Sequence, residues 1–465
     1  MSADRPINAD EPTPKPAEPK PPGGPKAAPN GPAEEPKTES TNPKRSEPKP
    51  KPKRRRRKPM PLTPKLLAAL VVVAIAFIVA AVLGANGGSK SGSGSAAPAP
   101  APAPAAEGPA AKTPASQTSE QLGYPAFATN NTTRIGGSDP ATNAAAVALA
   151  VFPSTEPDQR PKAVTLVGED DWQGAIAAAV LMASPLRAPL LISSSDGAPD
   201  PTSEALSALD PQGDSSTAGA GAFAIGDVAV PDGTKATKVA AGPGAVEAAA
   251  IAKLRDRLFG SPPAHIVIAP SSDPELAAPA AAWAARSGDP VLFAGTDELP
   301  AATETALKRH TGLPVFILGP PSAISSDVFH EIAKIDKRVK RVSGKNPVAN
   351  AIAFARYHDG DFGWNVNDPG HGFVLARGDA AIEAAVAAPL SASGTWGPLL
   401  LTDSAAKVPA ELRSYFLDLK PGYTTDPTRA FYNHVWVIGD QEAIDVNQQA
   451  EVNGLAELAK IGGEQ

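Results

Sequence analysis

One pattern occurs three times in the chain and constrains its fold more than any other feature. In the clearest copy, residues 162–195 read KAVTLVGEDDWQGAIAAAVLMASPLRAPLLISSS. A short apolar run ends at Gly168, an Ala-rich run of helical length follows, and a second apolar run closes the unit. The pattern returns at residues 372–403 and, more loosely, at 265–295. Apolar runs separated by helix-length segments are typical of β-α-β units with parallel strands.

The apolar runs are nearly continuous, which indicates strands that are covered on both faces, as in parallel sheets. The sequence therefore predicts an α/β protein built from three tandem Rossmann-like modules. The predicted strands are Val164–Val167, Pro189–Ile192, Ala222–Ile225, Ile266–Ala269, Val291–Ala294, Val315–Leu318, Phe373–Ala376, Leu399–Thr402 and Val435–Ile438. The predicted helices between them are Gly174–Ser184, Thr202–Leu209, Glu275–Arg286, Ala301–His310, Asp379–Ser391 and Pro409–Leu417.

Each unit opens with a signature of its own. A basic residue and a β-branched residue are followed by a turn of small residues and then by a helix. The basic residues are Arg134, Lys238 and Arg341, about a hundred residues apart. A period of this length indicates tandem domains rather than a solenoid. The predicted repeats are residues 123–237, 238–340 and 341–465.

The segment that precedes the repeats has a different composition. Residues 1–65 are rich in Pro and hold 16 Lys and Arg against 8 Asp and Glu, whereas the remainder holds 27 against 41. With almost no large apolar side chains, residues 1–65 cannot offset the entropy of ordering, and we expect a disordered basic tail. The run KPKRRRRK at residues 51–58 could bind nucleic acid, but its position favours a cytoplasmic flank of a membrane span.

An apolar run without any polar group extends from Leu66 to Leu83. A helix of this length matches a bilayer's hydrocarbon core, so residues 66–84 are predicted to span the membrane with the N-terminus in the cytoplasm. A cleaved signal peptide, with a site at Leu83-Gly84-Ala85, is the alternative. Residues 85–122, rich in Gly, Ser, Ala and Pro, are a linker that would hold an extracellular domain away from the membrane.

The repeat elements resemble a known family. The signatures are similar to the opening R-[IL]-x-G-x-[DN]-R-Y-x-T-A of the cell wall binding repeat 2 family. Later elements of that family resemble Ala188-Pro-Leu-Leu-Ile-Ser and Gly397-Pro-Leu-Leu-Leu-Thr, and its last strand resembles Ala224-Ile-Gly and Val437-Ile-Gly. The resemblance covers residues 123–465, and its specificity comes from the threefold recurrence in the right order.

The resemblance implies three modules in a pseudo-threefold arrangement and non-covalent retention on an anionic wall polymer of a Gram-positive, actinobacterial-type bacterium. It makes Arg134, Lys238 and Arg341 candidate ligand contacts. The chain also departs from the family, because Pro140-Ala141 and Pro347-Val348 stand where the family has Arg-Tyr. Ligand binding could therefore differ between the units or be lost from some of them.

Motifs for catalysis are absent from the sequence. It contains no G-x-S-x-G, no Walker loop and no H-E-x-x-H, and Glu247 stands where a dinucleotide fingerprint after Gly242 needs its third glycine. We therefore predict a protein that is not an enzyme and holds no organic cofactor. The acids Asp171, Asp273 and Asp379 recur just before equivalent helices, which indicates N-caps rather than acid–base groups.

An insertion at residues 357–372, YHDGDFGWNVNDPGHG, is absent from the other units. Its acids Asp359, Asp361 and Asp368 could bind Ca²⁺, the one cofactor that the sequence suggests. Trp364 could stack on a sugar ring. The alternative is an ordered connector rich in turns.

The run KIDKRVKRVSGK at residues 334–345 is the main basic concentration in an acidic body. Lys340 and Lys345 could contact the phosphates of an anionic polymer, or they could lie on a solvated strand edge. Together these features predict a single-pass membrane protein whose extracellular repeats bind wall polysaccharide or a teichoic-acid-like polymer, without binding nucleic acid. The rivals are an enzyme or small-ligand receptor with a pocket at the C-terminal ends of the strands, and a scaffold for protein contacts.

Overall fold

The computed structural model describes residues 127–239 and 242–462, and all nine strands predicted from the sequence are present in it. The predicted tail at 1–65, the span at 66–84 and the linker at 85–122 lie outside the described residues. Within the described part of the chain, no helix is both long enough and apolar enough to cross a membrane.

Strands and helices alternate along most of the described chain. The first part comprises β1 Phe127–Ala128, β2 Thr132–Ile135, α1 Pro140–Val151, β3 Val164–Val167, α2 Trp172–Ala178, β4 Leu190–Ile192, α3 Asp200–Leu209, β5 Ala222–Ile225, β6 Ala236–Val239 and α4 Ala245–Phe259. The middle part comprises β7 Ile266–Pro270, α5 Pro274–Ala277, α6 Pro279–Ser287, β8 Val291–Ala294, α7 Ala301–Arg309, β9 Val315–Leu318, α8 Ser326–Ile335, β10 Val339–Val342 and α9 Pro347–Arg356.

The last part comprises β11 Gly372–Arg377, α10 Ala381–Val386, α11 Ala388–Ala392, β12 Leu399–Thr402, α12 Ala410–Asp418, β13 Gly422–Tyr423, β14 His434–Ile438, α13 Val446–Ala456 and β15 Ala459–Lys460. A 3₁₀ helix, Ala179–Met182, continues α2.

Three sheets form the framework, with strand orders β4-β3-β5-β6, β8-β7-β9-β10 and β12-β11-β14-β2-β1. All neighbours in them are parallel except β1 and β2, which are antiparallel. Strands β3, β7 and β12 are fully buried, as their apolar runs predict.

The strand that contains the basic residue of each signature joins the sheet of the preceding module. For the first signature, that sheet is the one of the third module. Strand β6, which contains Lys238, completes the first sheet, and β10, which contains Arg341, completes the second. Strand β2 joins the third sheet by pairing with β14, so that Arg134 lies opposite Val437. Each sequence repeat thus begins one strand before its own sheet begins. As a result, the two ends of the domain close on each other.

The helix after each signature strand reaches the next module. Helix α1 packs on β4 and α3, α4 packs on β8 and α7, and α9 packs on β12 and α12. Each strand–helix pair of a signature therefore joins two modules.

Small side chains line the contact where the modules meet. Helix α6 packs on both the 3₁₀ helix and α11, which also contact each other. Ala179, Ala281 and Ala284 have no exposed surface, and neighbouring residues are mostly alanine as well. Alanine lets helices approach closely while still excluding water, which explains the Ala-rich helical segments.

Two sequence predictions need correction. The runs predicted as single helices at Glu275–Arg286 and Asp379–Ser391 are each broken in two, at Ala278 and Ala387, just before Pro279 and Pro389. Proline lacks the N–H that a continuous helix needs.

Asp171 and Asp273 do cap their helices by accepting from the backbone N–H groups of Gly174 and Leu276. Asp379, predicted to do the same, does not cap its helix. Its carboxylate instead pairs with the guanidinium of Arg377, two residues earlier in the chain.

Candidate functional site

The basic residues of the signatures occupy two different environments. Arg134 is 4% exposed, and it donates to the backbone oxygens of Gly439, Asp440 and Ile444 and to the side chain of Gln449. Arg341 donates in the same way to the carbonyls of Gly319 and Ile324. In contrast, Lys238 is exposed. The two arginines therefore hold the loop that follows the last strand of a module, with their donors directed at the protein.

The two predicted lysine contacts lie on the surface in ion pairs. Lys340 pairs with Asp359, and the Nζ of Lys345 lies 2.9 Å from Oε1 of Glu411. Such exposed pairs are weak, so both lysines can exchange their partners for a polymer at little cost.

The insertion at residues 357–372 is anchored to the preceding module by Phe362. This side chain is 1% exposed, and its ring stacks on Phe316 of β9 with centroids 3.6 Å apart. It also contacts Trp283 and Phe354 edge-on or at a tilt. The hydroxyl of Tyr415 donates to the carbonyl of Val366 at 3.0 Å. The insertion is thus an ordered connector.

The three acids predicted to bind Ca²⁺ are not brought together. Asp359 pairs with Lys340, Asp368 lies beside His371, and Asp361 is exposed at the edge of a cavity. In the described ranges, no three Asp, Glu, His or Cys side chains converge as metal ligands.

Trp364 lies in the wall of a cavity of about 750 Å³, which forms where the insertion meets helix α6 and the turn before β12. Three tryptophans contribute to the wall, beside charged and polar side chains. Trp283 comes from α6, Trp364 from the insertion and Trp396 from the turn. Trp283 meets Trp364 edge to face, with centroids 5.4 Å apart. A concave cavity of this size, with aromatic rings and a few polar groups in its wall, is typical of a binding site for a small molecule or a segment of a polymer.

Arg286, at the end of α6, supplies the positive charge of the cavity. Its guanidinium carbon lies 5.5 Å from the ring centroid of Trp364 and 5.9 Å from that of Trp396, and Nη1 donates to the carbonyl of Trp396. No carboxylate among the described residues forms a salt bridge with it. Desolvation lowers the pKa of Arg286, as expected for a charge held against aromatic rings without a counter-ion.

The floor of the cavity is rigid because Asp289, 1% exposed, accepts three hydrogen bonds. They come from the backbone N–H and Nδ1 of His265 and from Nε1 of Trp283, at 2.9–3.0 Å. The backbone of Trp396 has a φ of 56°, a left-handed conformation that costs a large side chain about 1–2 kcal/mol. Its side chain is 56% exposed at the mouth. This backbone conformation lowers the stability of the folded state, and it holds the indole ring of Trp396 at the surface.

Sequence reasoning found Trp364 but missed Arg286, Trp283 and Trp396. One signal was available, because the chain has only five tryptophans and three of them line this one cavity. They are far apart in the sequence, however, and no spacing rule brings them together.

The chain is thus an α/β protein of three parallel-sheet modules, with a cavity lined by three tryptophans and Arg286 together with Asp289 and Asp361. No family model and no curated protein matches the chain. Among solved structures, Cwp6 from Clostridium difficile is similar with a TM-score of 0.55 and 19% identity, covering 70% of this chain and 48% of that one. Cwp8 from the same organism is similar with a TM-score of 0.54 and 21% identity, covering 70% and 52%. The chain thus shares the fold of about half of each of these two cell wall proteins.

Proposed function

We propose that this protein binds a cell wall glycopolymer without catalysis, and that the cavity of Trp364, Arg286 and Trp396 contacts the polymer. One observation carries the proposal, namely the unpaired guanidinium of Arg286 held between two indole rings. The fold shared with two cell wall proteins supports a cell-wall role.

The chemistry of the cavity suits a charged saccharide. Indole rings offer flat apolar faces on which sugar rings stack, and a guanidinium binds carboxylate or phosphate oxygens through paired N–H groups. Because residues 66–465 carry 27 basic against 41 acidic side chains, overall charge does not attract an anionic polymer. The cavity as a whole is not cationic, because Asp289 and Asp361 line it as well, so the guanidinium of Arg286 or bridging Ca²⁺ has to supply the attraction.

The proposal also includes the membrane. Residues 66–84 would anchor the protein, residues 85–122 would act as a spacer, and the three modules would hold the wall outside the cell. This arrangement rests on the sequence, with 18 apolar residues from Leu66 to Leu83 behind a basic flank.

Sedimentation of the detergent-solubilised full-length protein with purified walls tests the proposal. We expect retention on intact walls and its loss after the secondary polymers have been stripped. Parallel samples with Ca²⁺ and with a chelator show whether bridging cations take part. Protein that stays in the supernatant after sedimentation with intact walls, under all these conditions, would contradict the proposal.

Three substitutions locate the contact. Trp396→Ala and Arg286→Ala should each weaken retention at least about tenfold, the size expected for loss of a buried stacking or charge-assisted contact. Arg257→Ala, which removes an exposed arginine of α4 outside the cavity, is the matched control and should retain wild-type binding.

A further inference from the structure

A second cavity lies at the C-terminal ends of β3, β4 and β5, where ligands bind in many parallel α/β sheets. Its volume is about 480 Å³, within the range of about 300–1,000 Å³ of small-molecule sites. The loops after the three strands supply its lining, with carboxylates from Asp170, Asp171 and Asp227 and hydroxyls from Ser194 and Ser195. It is separate from the Trp364 cavity, since the two share no lining residue.

A buried acid lies behind this cavity. Glu247, on α4, is 2% exposed, and its Oε2 has no hydrogen-bond partner among the described residues. Its carboxyl group faces that of Asp171, since atoms of both crowd the space beside Gly174. Two carboxylates so close repel each other unless a positive charge or a shared proton lies between them.

The other two modules show that the fold does not need an acid here. Glu247 stands nine residues after Lys238, and the equivalent residues after Arg134 and Arg341 are Asn143 and Asn350. Both asparagines are fully buried, and each accepts from the backbone N–H of a glycine in its own signature turn. A neutral amide thus suffices in two modules, and only the module with the acidic cavity carries a carboxyl group.

Gly226 connects the cavity to Glu247. It lines the cavity at the end of β5, and a Cβ placed on it would lie 3.2 Å from Oε1 of Glu247 and 3.9 Å from Oδ2 of Asp171. A ligand group that occupied the position of this absent Cβ would therefore lie close to both carboxyl groups.

We propose that this cavity binds the primary ammonium group of a small hydroxylated ligand, of the amino-sugar class, between Asp171 and Glu247. An ammonium group supplies the positive charge and the hydrogen-bond donors that the pair lacks. The hydroxyl of Ser195 and the outer acids suit a polyhydroxylated body, whereas the hydroxyl of Ser194 is bonded within its own turn. A metal ion fits less well, because no three ligating side chains converge among the residues described.

The energetics of the pair agree with this proposal. Burial, and then the neighbouring Asp171, raise the pKa of Glu247 to about 8. The pair therefore keeps a proton at neutral pH in the absence of a ligand, and a bound ammonium group would take that proton's place.

Calorimetric titration of the full-length protein with D-glucosamine and with N-acetyl-D-glucosamine tests the inference. The two probes share a ring and differ in the charge of the amine. We expect glucosamine to bind and its acetylated form not to bind. Glu247→Gln and Asp171→Asn keep the shape of each side chain and should each weaken glucosamine binding at least about tenfold. Asp232→Asn, an exposed acid outside this cavity, should leave it unchanged.

Three results would overturn the inference. They are equal binding of the two sugars, glucosamine binding that survives Glu247→Gln, and Ca²⁺ binding that is lost in the same variants without any sugar binding. Glu247→Asn, which installs the residue of the other two modules, separates a folding defect from a binding defect, because that residue is accommodated twice in this fold. Retention on walls reports on the other cavity and should persist in every variant of this one.

Discussion

The Nη1 atom of Arg134 lies 2.9 Å from the carbonyl oxygen of Gly439, a residue 305 positions further along the chain. The same guanidinium also donates to the carbonyl of Ile444 and to Gln449. These bonds attach the first signature strand to the loop after the last long strand of the third sheet. One buried arginine therefore reinforces the closure between the two ends of the domain, which the pairing of β2 with β14 also supports.

Replacing Arg134 with alanine should weaken this closure. The substitution leaves several buried carbonyls without a donor, and each unsatisfied group costs about 1–3 kcal/mol. We expect a loss of at least about 3 kcal/mol in the free energy of unfolding, measured by denaturant titration, with faster proteolysis near residue 130.

The second signature provides the matched control for this variant. Lys238 occupies the equivalent position but is exposed, so Lys238→Ala should change the free energy of unfolding by less than about 0.5 kcal/mol. Similar losses in the two variants would mean that the closure does not depend on Arg134.

Local sequence pattern was enough to predict the strands, because a short continuous apolar run between turn residues is typical of a buried strand. It could not predict the partner of each signature strand. Strand β10 has the mixed burial of a sheet edge, and its four residues do not specify which sheet they join. The first strand of each repeat joins the sheet of another module because of packing between modules, which no local pattern encodes.

The candidate site was predictable only in part for a similar reason. Trp364 stands out because it lies in an insertion that the other units lack. Arg286 ends an Ala-rich helix and resembles a solvated charge until Trp396, 110 residues later, is placed beside it. Asp379 was misassigned as a cap because the sequence did not reveal that Arg377 would bind its carboxylate.

Substitutions of Phe362 and of Trp396 should affect stability differently, because the first residue is buried in the core and the second is exposed at the cavity. Phe362 is buried in an aromatic cluster, so Phe362→Ala should cost about 3–5 kcal/mol, the usual result of removing a core phenylalanine. Trp396 is half exposed in a strained conformation, so Trp396→Gly should leave the melting temperature unchanged or raise it. Calorimetry checks both variants, and a marked fall in the melting temperature of Trp396→Gly would show that the indole ring is structural.

Asn350 should be important for the junction between the second and third modules. Its Oδ1 accepts from the N–H of Gly344 at 3.1 Å, and its Nδ2 donates to the carbonyl of Leu276 at 3.3 Å. Asn350→Ala breaks both bonds in a fully buried position and should cost about 2–4 kcal/mol in denaturant unfolding. Asn447→Ala, at an exposed position of helix α13, serves as the control, and an equally large loss there would argue against this role.

Glu247 should make stability depend on pH in the direction opposite to that of a salt-bridged acid. Burial and the nearby Asp171 raise its pKa from 4.5 to about 8. Between these values the folded state keeps a proton that the unfolded state has released. The folded state thus binds more protons, and the free energy of unfolding must fall as pH rises through this window.

In Glu247→Gln the side chain has no carboxyl group to titrate. The fall in the free energy of unfolding that Glu247 causes should therefore be absent from this variant. Below pH 4.5 the variant should match the wild type, since Glu247 is then protonated in both states. By about pH 8 it should be more stable by an amount on the order of a few kcal/mol, at about 1.4 kcal/mol per unit of pKa shift. Denaturant titrations at several pH values check this difference. Parallel curves for the two proteins would show that Glu247 is already ionised in the folded state, because only a proton held by the folded protein can make the curves diverge.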